Sequence, residues 1–187
     1  MDRGRRARGL IAALAVDLVG GCAADEDPPR EAASLVDHRA WEPSPAGDDP
    51  YAARAPAELD CDLQQGVSVE DLGGGPALEI DTSWCSFVTM QQPARVDART
   101  DEILHLALWH YDLVAPEPAD AYLALALDGE TVWEQWVPIP GPAELLTADV
   151  AIAAPWAQDA TVQFHVDNHG LNTWDLLEIT RQPAPRP

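Results

Sequence analysis

The amino-acid sequence predicts an all-β fold, an antiparallel β-sandwich of about eight or nine short strands within residues 59–181. Large apolar residues alternate with other residues in three segments of this region, at 104–109, 122–127 and 162–167. A period of two is typical of strands that bury one face. The region has no long helical pattern, and a series of short strands of this kind is typical of a sandwich.

Six further segments are weaker strand candidates. They are residues 67–72, 78–81, 86–91, 131–137, 150–153 and 174–180. Asp128-Gly129 lies between two strand patterns and predicts a two-residue hairpin turn. The proline-rich run at 137–142 should end a strand, because proline cannot donate a ladder hydrogen bond, and residues 143–146 fit one helical turn.

The first 22 residues have the layout of a bacterial secretion signal. Four arginines open the chain, an apolar run of about 11 residues follows, and small residues lead into Cys22. The run is too short to span a bilayer, which takes about 20 helical residues. The segment Val19-Gly20-Gly21-Cys22 resembles the lipobox of bacterial lipoproteins. The alternative is an ordinary signal peptide that is cut elsewhere and leaves Cys22 unmodified.

The lipobox resemblance implies a location and an anchor. In that family a peptidase removes the signal, here residues 1–21, and the cysteine, here Cys22, becomes the lipidated N-terminus. Each buried CH₂ of an acyl chain contributes about 0.8 kcal/mol, so two or three chains make attachment permanent. The resemblance therefore implies an exported cell-envelope protein held in a membrane by its lipid anchor, and Ala23 favours the outer membrane.

The charge of the mature chain excludes two kinds of partner. Without residues 1–21 the chain loses four of its 11 basic residues and two of its 32 acidic residues, which leaves a net charge near −23. A surface this acidic repels the phosphates of nucleic acids and the headgroups of anionic lipids. No nucleic-acid partner is expected, and membrane attachment would depend on the acyl chains.

Residues 22–58 are predicted to be the lipidated N-terminus followed by a disordered tether. This segment is rich in proline, alanine and acidic residues and has few large apolar residues, so it should not bury enough surface to fold. The proline-rich residues 182–187 are predicted to be a disordered tail. The folded domain is then limited to residues 59–181.

Two cysteines remain once Cys22 is lipidated, and they are Cys61 and Cys85. An even pair of cysteines in an exported chain predicts one disulfide. The bridge would stabilise the fold by about 3 kcal/mol through loop closure. Two buried free thiols are the alternative.

The last two strand patterns, at 164–170 and 172–179, are similar to the closing hairpin of galactose-binding-like and carbohydrate-binding-module jelly rolls. Such modules often end with a strand of the Trp-x-Leu-x-x-Ile kind, and this chain has that pattern from Trp174 to Ile179. The resemblance implies a jelly-roll-like sandwich with a ligand-binding role. It transfers no binding residue, because those families place their sites in variable loops or faces.

An aromatic platform is the sharpest binding hypothesis. The faces opposite the leucines of segments 104–109 and 122–127 carry aromatic residues around alanines, and these two strands are predicted to be neighbours. Sugars pack their C–H faces on such rings and donate hydroxyl hydrogen bonds to nearby carboxylates. In the alternative, the second sheet or the N-terminal segment covers this face and the rings pack internally. The predicted site residues are Trp109, Tyr111, Tyr122, Trp133, Asp112 and Asp128.

A metal site is the second hypothesis. Histidine and acidic residues lie at the ends of two strand patterns, and if those ends meet they could hold calcium or a transition metal. A buried histidine that is hydrogen-bonded to a carboxylate would have the same sequence pattern. The candidate ligands are His110, Asp112, Asp167 and His169. No other cofactor is predicted.

No sequence pattern indicates catalysis. There is no Gly-x-Ser-x-Gly motif or phosphate-binding loop, and the scattered carboxylates single out no catalytic pair. The leading expectation is a non-catalytic, lipid-anchored envelope protein whose sandwich binds a carbohydrate. One alternative is a structural or scaffolding envelope lipoprotein with no small-molecule ligand, whose partner could be another envelope protein, and the third is a hydrolase.

Overall fold

Two antiparallel β-sheets pack face to face in the computed structural model, which describes residues 30–59, 61–168 and 170–185. The eleven strands in this part of the chain confirm the predicted jelly-roll-like β-sandwich. Nine of them correspond to the predicted strands, and two short strands come before these. The described helices are one turn at Leu63–Gly66 (α1) and a 3₁₀ turn at Ala52–Arg54.

The strands divide into sheet A and sheet B. In spatial order sheet A contains β3 (Val67–Asp71), β4 (Pro76–Asp81), β11 (Thr173–Pro183), β6 (Glu102–His110) and β9 (Glu144–Ala151), and β1 (Ala33–Ser34) also pairs with β11. Sheet B contains β2 (Glu42–Pro43), β5 (Phe87–Pro93), β10 (Thr161–Asp167), β7 (Ala119–Leu127) and β8 (Glu130–Ile139). Strands β6 and β7 follow each other in the chain but belong to different sheets.

The apolar faces of the strands meet between the two sheets. The leucines of β6 and β7, together with Phe164 of β10 and Trp174 of β11, form the core and are at most 1% exposed. Burying a side chain of this size contributes about 1.5–3 kcal/mol. The period of two in the sequence therefore identified the inward face of these strands correctly.

Two local predictions have opposite outcomes. Asp128 and Gly129, with φ angles of 49° and 80°, connect β7 and β8 and confirm the predicted hairpin turn. The helical turn predicted at 143–146 is wrong, because β9 begins at Glu144 and pairs with β6. Four residues carry too little periodicity to separate a helical turn from a strand.

The predicted disordered tether is wrong for residues 30–54, which pack on the sandwich, whereas residues 55–58 are exposed. Leu35 and Val36 are buried in the core, and the Leu35 N–H donates to the Ile179 carbonyl at 2.8 Å. Tyr51 is buried against the outside of sheet B. The average composition of this segment is poor in large apolar residues, but the few it has occupy core positions and hold the chain in place.

The two ends of the chain are described only in part. The secretion signal, Cys22 and the rest of the N-terminal segment up to residue 29 lie outside the described residues. Residues 182 and 183, predicted to be part of a disordered tail, belong to β11 instead. Within the described ranges, no helix has the length and apolar character needed to cross a membrane.

The predicted disulfide between Cys61 and Cys85 is confirmed. It joins the segment before α1 to the loop before β5, and Cys85 is fully buried. Gly66, the last residue of α1, lies directly against this bridge. A Cβ atom at Gly66 would be 2.6 Å from Cys85 Cβ and 3.1 Å from Cys85 N. Only a residue without a side chain fits here unless the backbone moves.

The Gly66→Ala variant is expected to be less stable than the wild type by about 1–3 kcal/mol, the usual cost of overpacking a rigid site. The matched control is Gly47→Ala, since an added Cβ at Gly47 meets nothing within 4 Å. Urea unfolding of the oxidised proteins measures both changes. Equal stability of the two alanine variants would contradict the close packing of α1 on the disulfide.

Candidate functional site

The predicted aromatic platform does not form as one surface. Trp109 lies on β6 in sheet A, and Tyr122 lies on β7 in sheet B. The residues between these strands cross from one sheet to the other instead of making a hairpin, so the two aromatic faces point to opposite sides of the sandwich. The prediction that these strands are neighbours is therefore wrong.

The alanine-lined face of β7 is covered by the N-terminal strap, which we define as residues 44–54. Tyr51 of the strap stacks on His165 of β10 with ring centroids 4.4 Å apart. The Arg54 guanidinium lies 3.8 Å from the centroid of the Tyr122 ring. Ala124 and Ala126 below the strap are fully buried. On this face the alternative interpretation, internal packing under the N-terminal segment, is correct.

His165 shows how well the strap excludes water. Its ring is fully buried, and its Nδ1 lies 2.9 Å from Thr89 Oγ1. Burial, helped by the nearby positive charge of Arg54, lowers the pKa of His165 to about 3. This face is therefore closed to a ligand as long as the strap is in place.

Three other predicted site residues have structural roles. Trp133 is half-buried and packs against the core between the sheets, across from Leu125. Asp128 accepts a hydrogen bond from the Thr161 N–H at 2.7 Å, and Asp112 accepts one from the Ala143 N–H at 2.8 Å. Both carboxylates thus order loops.

Trp109 and Tyr111, in contrast, face outward from sheet A. Their ring centroids are 6.0 Å apart and the ring planes meet at 83°, an edge-to-face arrangement. Together with Leu72, Leu145 and Leu177 they line an open concavity of about 430 Å³. Tyr111 is 56% exposed and Leu145 is 51% exposed. Large apolar side chains are seldom left this exposed in a cluster unless the surface binds something.

A second concavity of about 250 Å³ adjoins the first, since Leu72 and Leu177 line both. Its other lining residues are the 74–77 segment and Glu178. We call the two concavities together the trough. Gly73 and Gly75 have φ angles of 80° and 137°, which favour glycine, and they form the connection from β3 to β4 that brings Leu72 to the trough.

A β-bulge places Leu177 in the trough. The register of β11 against β6 shifts between Leu176, which pairs with Leu108, and Glu178, which pairs with Ala107. Leu177 is the extra residue, so Leu176 points into the core while Leu177 lines the outer surface. The break in alternation at Leu176-Leu177 was the one signal in the sequence that could have revealed this residue.

Carboxylates occupy sheet A beside the trough. Asp175 of β11 pairs with Trp109 on one side and with Glu79 of β4 on the other. Asp175 is 1% exposed, and neither of its carboxylate oxygens has a hydrogen-bond partner among the described residues. Burial, with smaller contributions from Glu79 and Glu70, raises the pKa of Asp175 to about 6. No pattern in the sequence singles out this residue.

The predicted metal ligands do not come together in the described part of the chain, where no group of three or more such side chains could hold a metal ion. His110 lies on the inner side of sheet A, and its Nδ1 donates to the Tyr111 carbonyl at 2.8 Å. Asp167 of sheet B is paired with Arg54 at 3.5 Å. His169 is outside the described residues.

No protein-family model and no curated protein matches this chain. Among solved structures, it is similar to the carbohydrate-binding module CBM27-1 of Caldicellulosiruptor saccharolyticus, which was determined in complex with mannohexaose. The match covers 84% of this chain and 100% of the module, with 11% identity and a TM-score of 0.53. This similarity shows that the two share the β-sandwich fold.

Two further solved structures have lower TM-scores. TmCBM61, in complex with β-1,4-galactotriose, matches with a TM-score of 0.42 and 8% identity over 76% of this chain and 99% of the module. The arabinose-bound α-L-arabinofuranosidase MgGH51 matches with a TM-score of 0.46 and 10% identity. That match covers 82% of this chain but spans 27% of the length of the arabinofuranosidase.

Proposed function

We propose that this protein is a non-catalytic carbohydrate-binding protein and that the trough on sheet A is its binding site. The observation that carries the proposal is the outward-facing pair of the half-buried Trp109 and the exposed Tyr111, which lies beside three leucines in the trough. The larger concavity of the trough, about 430 Å³, has the size of an ordinary ligand site, which is about 300–1,000 Å³. The second concavity adjoins it, and a trough of two adjoining concavities suits an oligosaccharide.

The chemistry of the trough fits a sugar in two ways. The C–H faces of a sugar ring pack on aromatic rings, here the rings of Trp109 and Tyr111, and on the leucine side chains beside them. The hydroxyls of the sugar donate hydrogen bonds, and the half-buried Glu178 at the second concavity supplies an acceptor. Shape and polarity therefore favour the same class of ligand.

Binding without hydrolysis is proposed because, among the described residues, Glu178 is the one carboxylate that lines the trough, and the carboxylate beside it, Asp175, is buried. Glycosidases use two carboxyl groups that flank the scissile bond. Asp175 has the raised pKa of a general acid, but it is 1% exposed beneath the surface. A general acid must come within hydrogen-bond reach of the leaving oxygen. The buried carboxyl group of Asp175 is not among the residues that line the trough.

The Trp109→Ala and Tyr111→Ala variants test the proposed site. Each is expected to weaken binding of the best oligosaccharide on a glycan array by about tenfold or more, because an aromatic ring at the centre of a site contributes much of its affinity. Trp84→Ala is the matched control, since Trp84 is 47% exposed and lines neither concavity. Isothermal titration calorimetry gives the affinities, and thermal unfolding confirms that each variant folds.

Three results would contradict the proposal. Binding that survives both Trp109→Ala and Tyr111→Ala would place the sugar elsewhere on the protein. A folded wild type that binds no glycan would favour the scaffolding role, in which the trough contacts another envelope protein. Turnover of a polysaccharide or an ester would contradict the proposal that the protein is non-catalytic.

We also propose that Cys22 carries a lipid anchor in the cell envelope, with the outer membrane as the expected site. The proposal rests on the lipobox-like residues 19–22. Ion pairs with Asp97 and Glu102 hold Arg30 on the domain. Seven residues, 23–29, lie between Cys22 and Arg30. These residues span at most about 25 Å. The sandwich would therefore lie close to the membrane surface.

The Cys22→Ser variant is expected to lose membrane association, while the wild type fractionates with membranes. Intact-mass analysis of the membrane-extracted wild type should show acyl groups on a chain that begins at Cys22. An unmodified chain that retains residues 1–21 would contradict both the anchor and the export.

A further inference from the structure

The face of sheet A that carries the trough has a cluster of carboxylates. Glu70 of β3, Glu79 of β4 and Asp175 of β11 lie beside one another on this face, and Glu178 lines the trough itself. Ser68 Oγ lies 3.2 Å from Glu79 Oε1 and 3.3 Å from Glu70 Oε1. Among the described residues that line the trough there is no arginine or histidine. The lining of the trough is therefore negative and lacks a cation of its own, and His105, farther along the same face of β6, is paired with Asp149.

Asp175 adds an independent observation to this cluster. Its carboxylate is buried, both oxygens are without a hydrogen-bond donor in the described ranges, and the two charges that act on it, Glu79 and Glu70, are repulsive. A buried carboxylate in this condition is costly unless a positive charge compensates it. Its partner in the adjacent strand is Trp109, so its charge lies directly beside the aromatic part of the trough.

The combination of aromatic rings and uncompensated carboxylates favours a ligand with a positive charge. The faces of tryptophan and tyrosine rings attract cations, so an ammonium group can bind over the same rings on which a sugar packs. A field from buried charges acts without direct contact, so Asp175 contributes although it is covered. By the same logic an acidic sugar, which carries a carboxylate or a sulfate, is repelled.

Resting on the proposed function, we propose that the ligand of the trough is a basic glycan, an oligosaccharide of amino sugars whose amino groups are free and protonated. The sugar ring packs on Trp109 and Tyr111, and its ammonium groups lie in the negative field of Glu178, Glu79 and Asp175. Acetylation of the amino groups removes their positive charge, so the acetylated oligosaccharide should bind less tightly.

The test compares two probes of equal length, oligomers of β-1,4-linked glucosamine and of N-acetylglucosamine, with a neutral glucose oligomer as the third. We expect the glucosamine oligomer to bind about tenfold more tightly than the acetylated one in low salt, and the ratio should fall when salt shortens the Debye length to about 3 Å. Asp175→Asn and Glu178→Gln should each reduce the ratio, while Trp109→Ala weakens all three probes.

A control is needed because an acidic protein attracts any polycation. Glu130→Gln removes one negative charge at an exposed position of β8 on sheet B and should leave the ratio unchanged. Equal loss in Glu130→Gln and Glu178→Gln, or glucosamine binding that survives Trp109→Ala, would overturn the inference. Equal binding of all three probes that depends on Trp109 would overturn the inference and support the proposed function, whereas no binding of any glycan would overturn both.

Discussion

Replacing Glu102 with glutamine is expected to lower the free energy of unfolding by about 3–5 kcal/mol. Glu102 is 4% exposed and accepts hydrogen bonds from Arg30 Nε at 2.9 Å, Arg181 Nη1 at 2.8 Å and the Arg99 N–H at 2.9 Å. Glutamine keeps the size of the side chain but removes its charge. Arg181, which is 6% exposed, would then remain inside the protein without its counter-ion.

The ion pairs of Glu102 also predict how the free energy of unfolding changes with pH. Burial raises the pKa of Glu102, but the hydrogen bonds from Arg30 and Arg181 outweigh this effect and hold the pKa below its usual value of 4.5. A group whose pKa is depressed by folding stabilises the protein fully above its unfolded pKa and loses that contribution as the pH falls through the folded pKa. The stability difference between wild type and Glu102→Gln should therefore shrink in acid.

Urea unfolding at neutral and acidic pH measures both expectations for Glu102. The matched control is Glu130→Gln, whose carboxylate is exposed and which should change stability by less than about 0.5 kcal/mol. A loss below about 1 kcal/mol in Glu102→Gln would contradict the argument that this carboxylate holds Arg30 and Arg181 in place.

Replacing Asp175 with asparagine is expected to have the opposite effect and raise the free energy of unfolding at pH 7.5 by up to about 3 kcal/mol. Burial is the main cause that raises the pKa of Asp175 from 3.8 to about 6, with Glu79 and Glu70 adding to it. The native state therefore binds a proton more tightly than the unfolded state does. Ionisation of this carboxyl group at neutral pH costs stability, and asparagine removes that cost.

The pH dependence separates this explanation from a packing effect. Relative to Asp175→Asn, the wild type should gain stability as the pH falls through about 6 and should draw level near 3.8, the unfolded value. Urea unfolding between neutral and acidic pH gives both curves. A difference in the free energy of unfolding that does not change with pH, or a variant that is less stable at pH 7.5, would show that the charge of Asp175 is compensated in the native state. A carboxylate that lowers stability beside the outward-facing Trp109 and Tyr111 side chains is expected at a binding site, where function is retained at a cost in stability.

The periodicity of the sequence was sufficient to predict eight of the nine strands from β3 to β11, whereas β9 was predicted at 150–153 and begins at Glu144. The periodicity could not predict the packing of residues 30–54, because that segment was judged by its average composition. Its order depends on single side chains such as Leu35 and Tyr51, whose partners Ile179 and His165 lie more than 100 residues further along the chain. Contacts of this kind leave no local pattern.

The candidate site could be predicted only in part, for a related reason. Trp109 and Tyr111 alternate with the leucines of β6, and that alternation placed them on an outer face. The hypothesis failed where it needed strand order, because the chain after β6 crosses to the other sheet and carries Tyr122 away. The bulge that exposes Leu177 and the burial of Asp175 also depend on pairing, which a single sequence does not contain.

Carbohydrate binding in the trough is tested most directly by the amide chemical shifts of isotope-labelled protein during a titration with the tightest-binding glycan, because these shifts show where the oligosaccharide binds. We expect the shift changes to be confined to β6, β9, β11 and residues 72–77, the elements that build the trough. Changes centred on the N-terminal strap and sheet B, with none in these elements, would contradict the account.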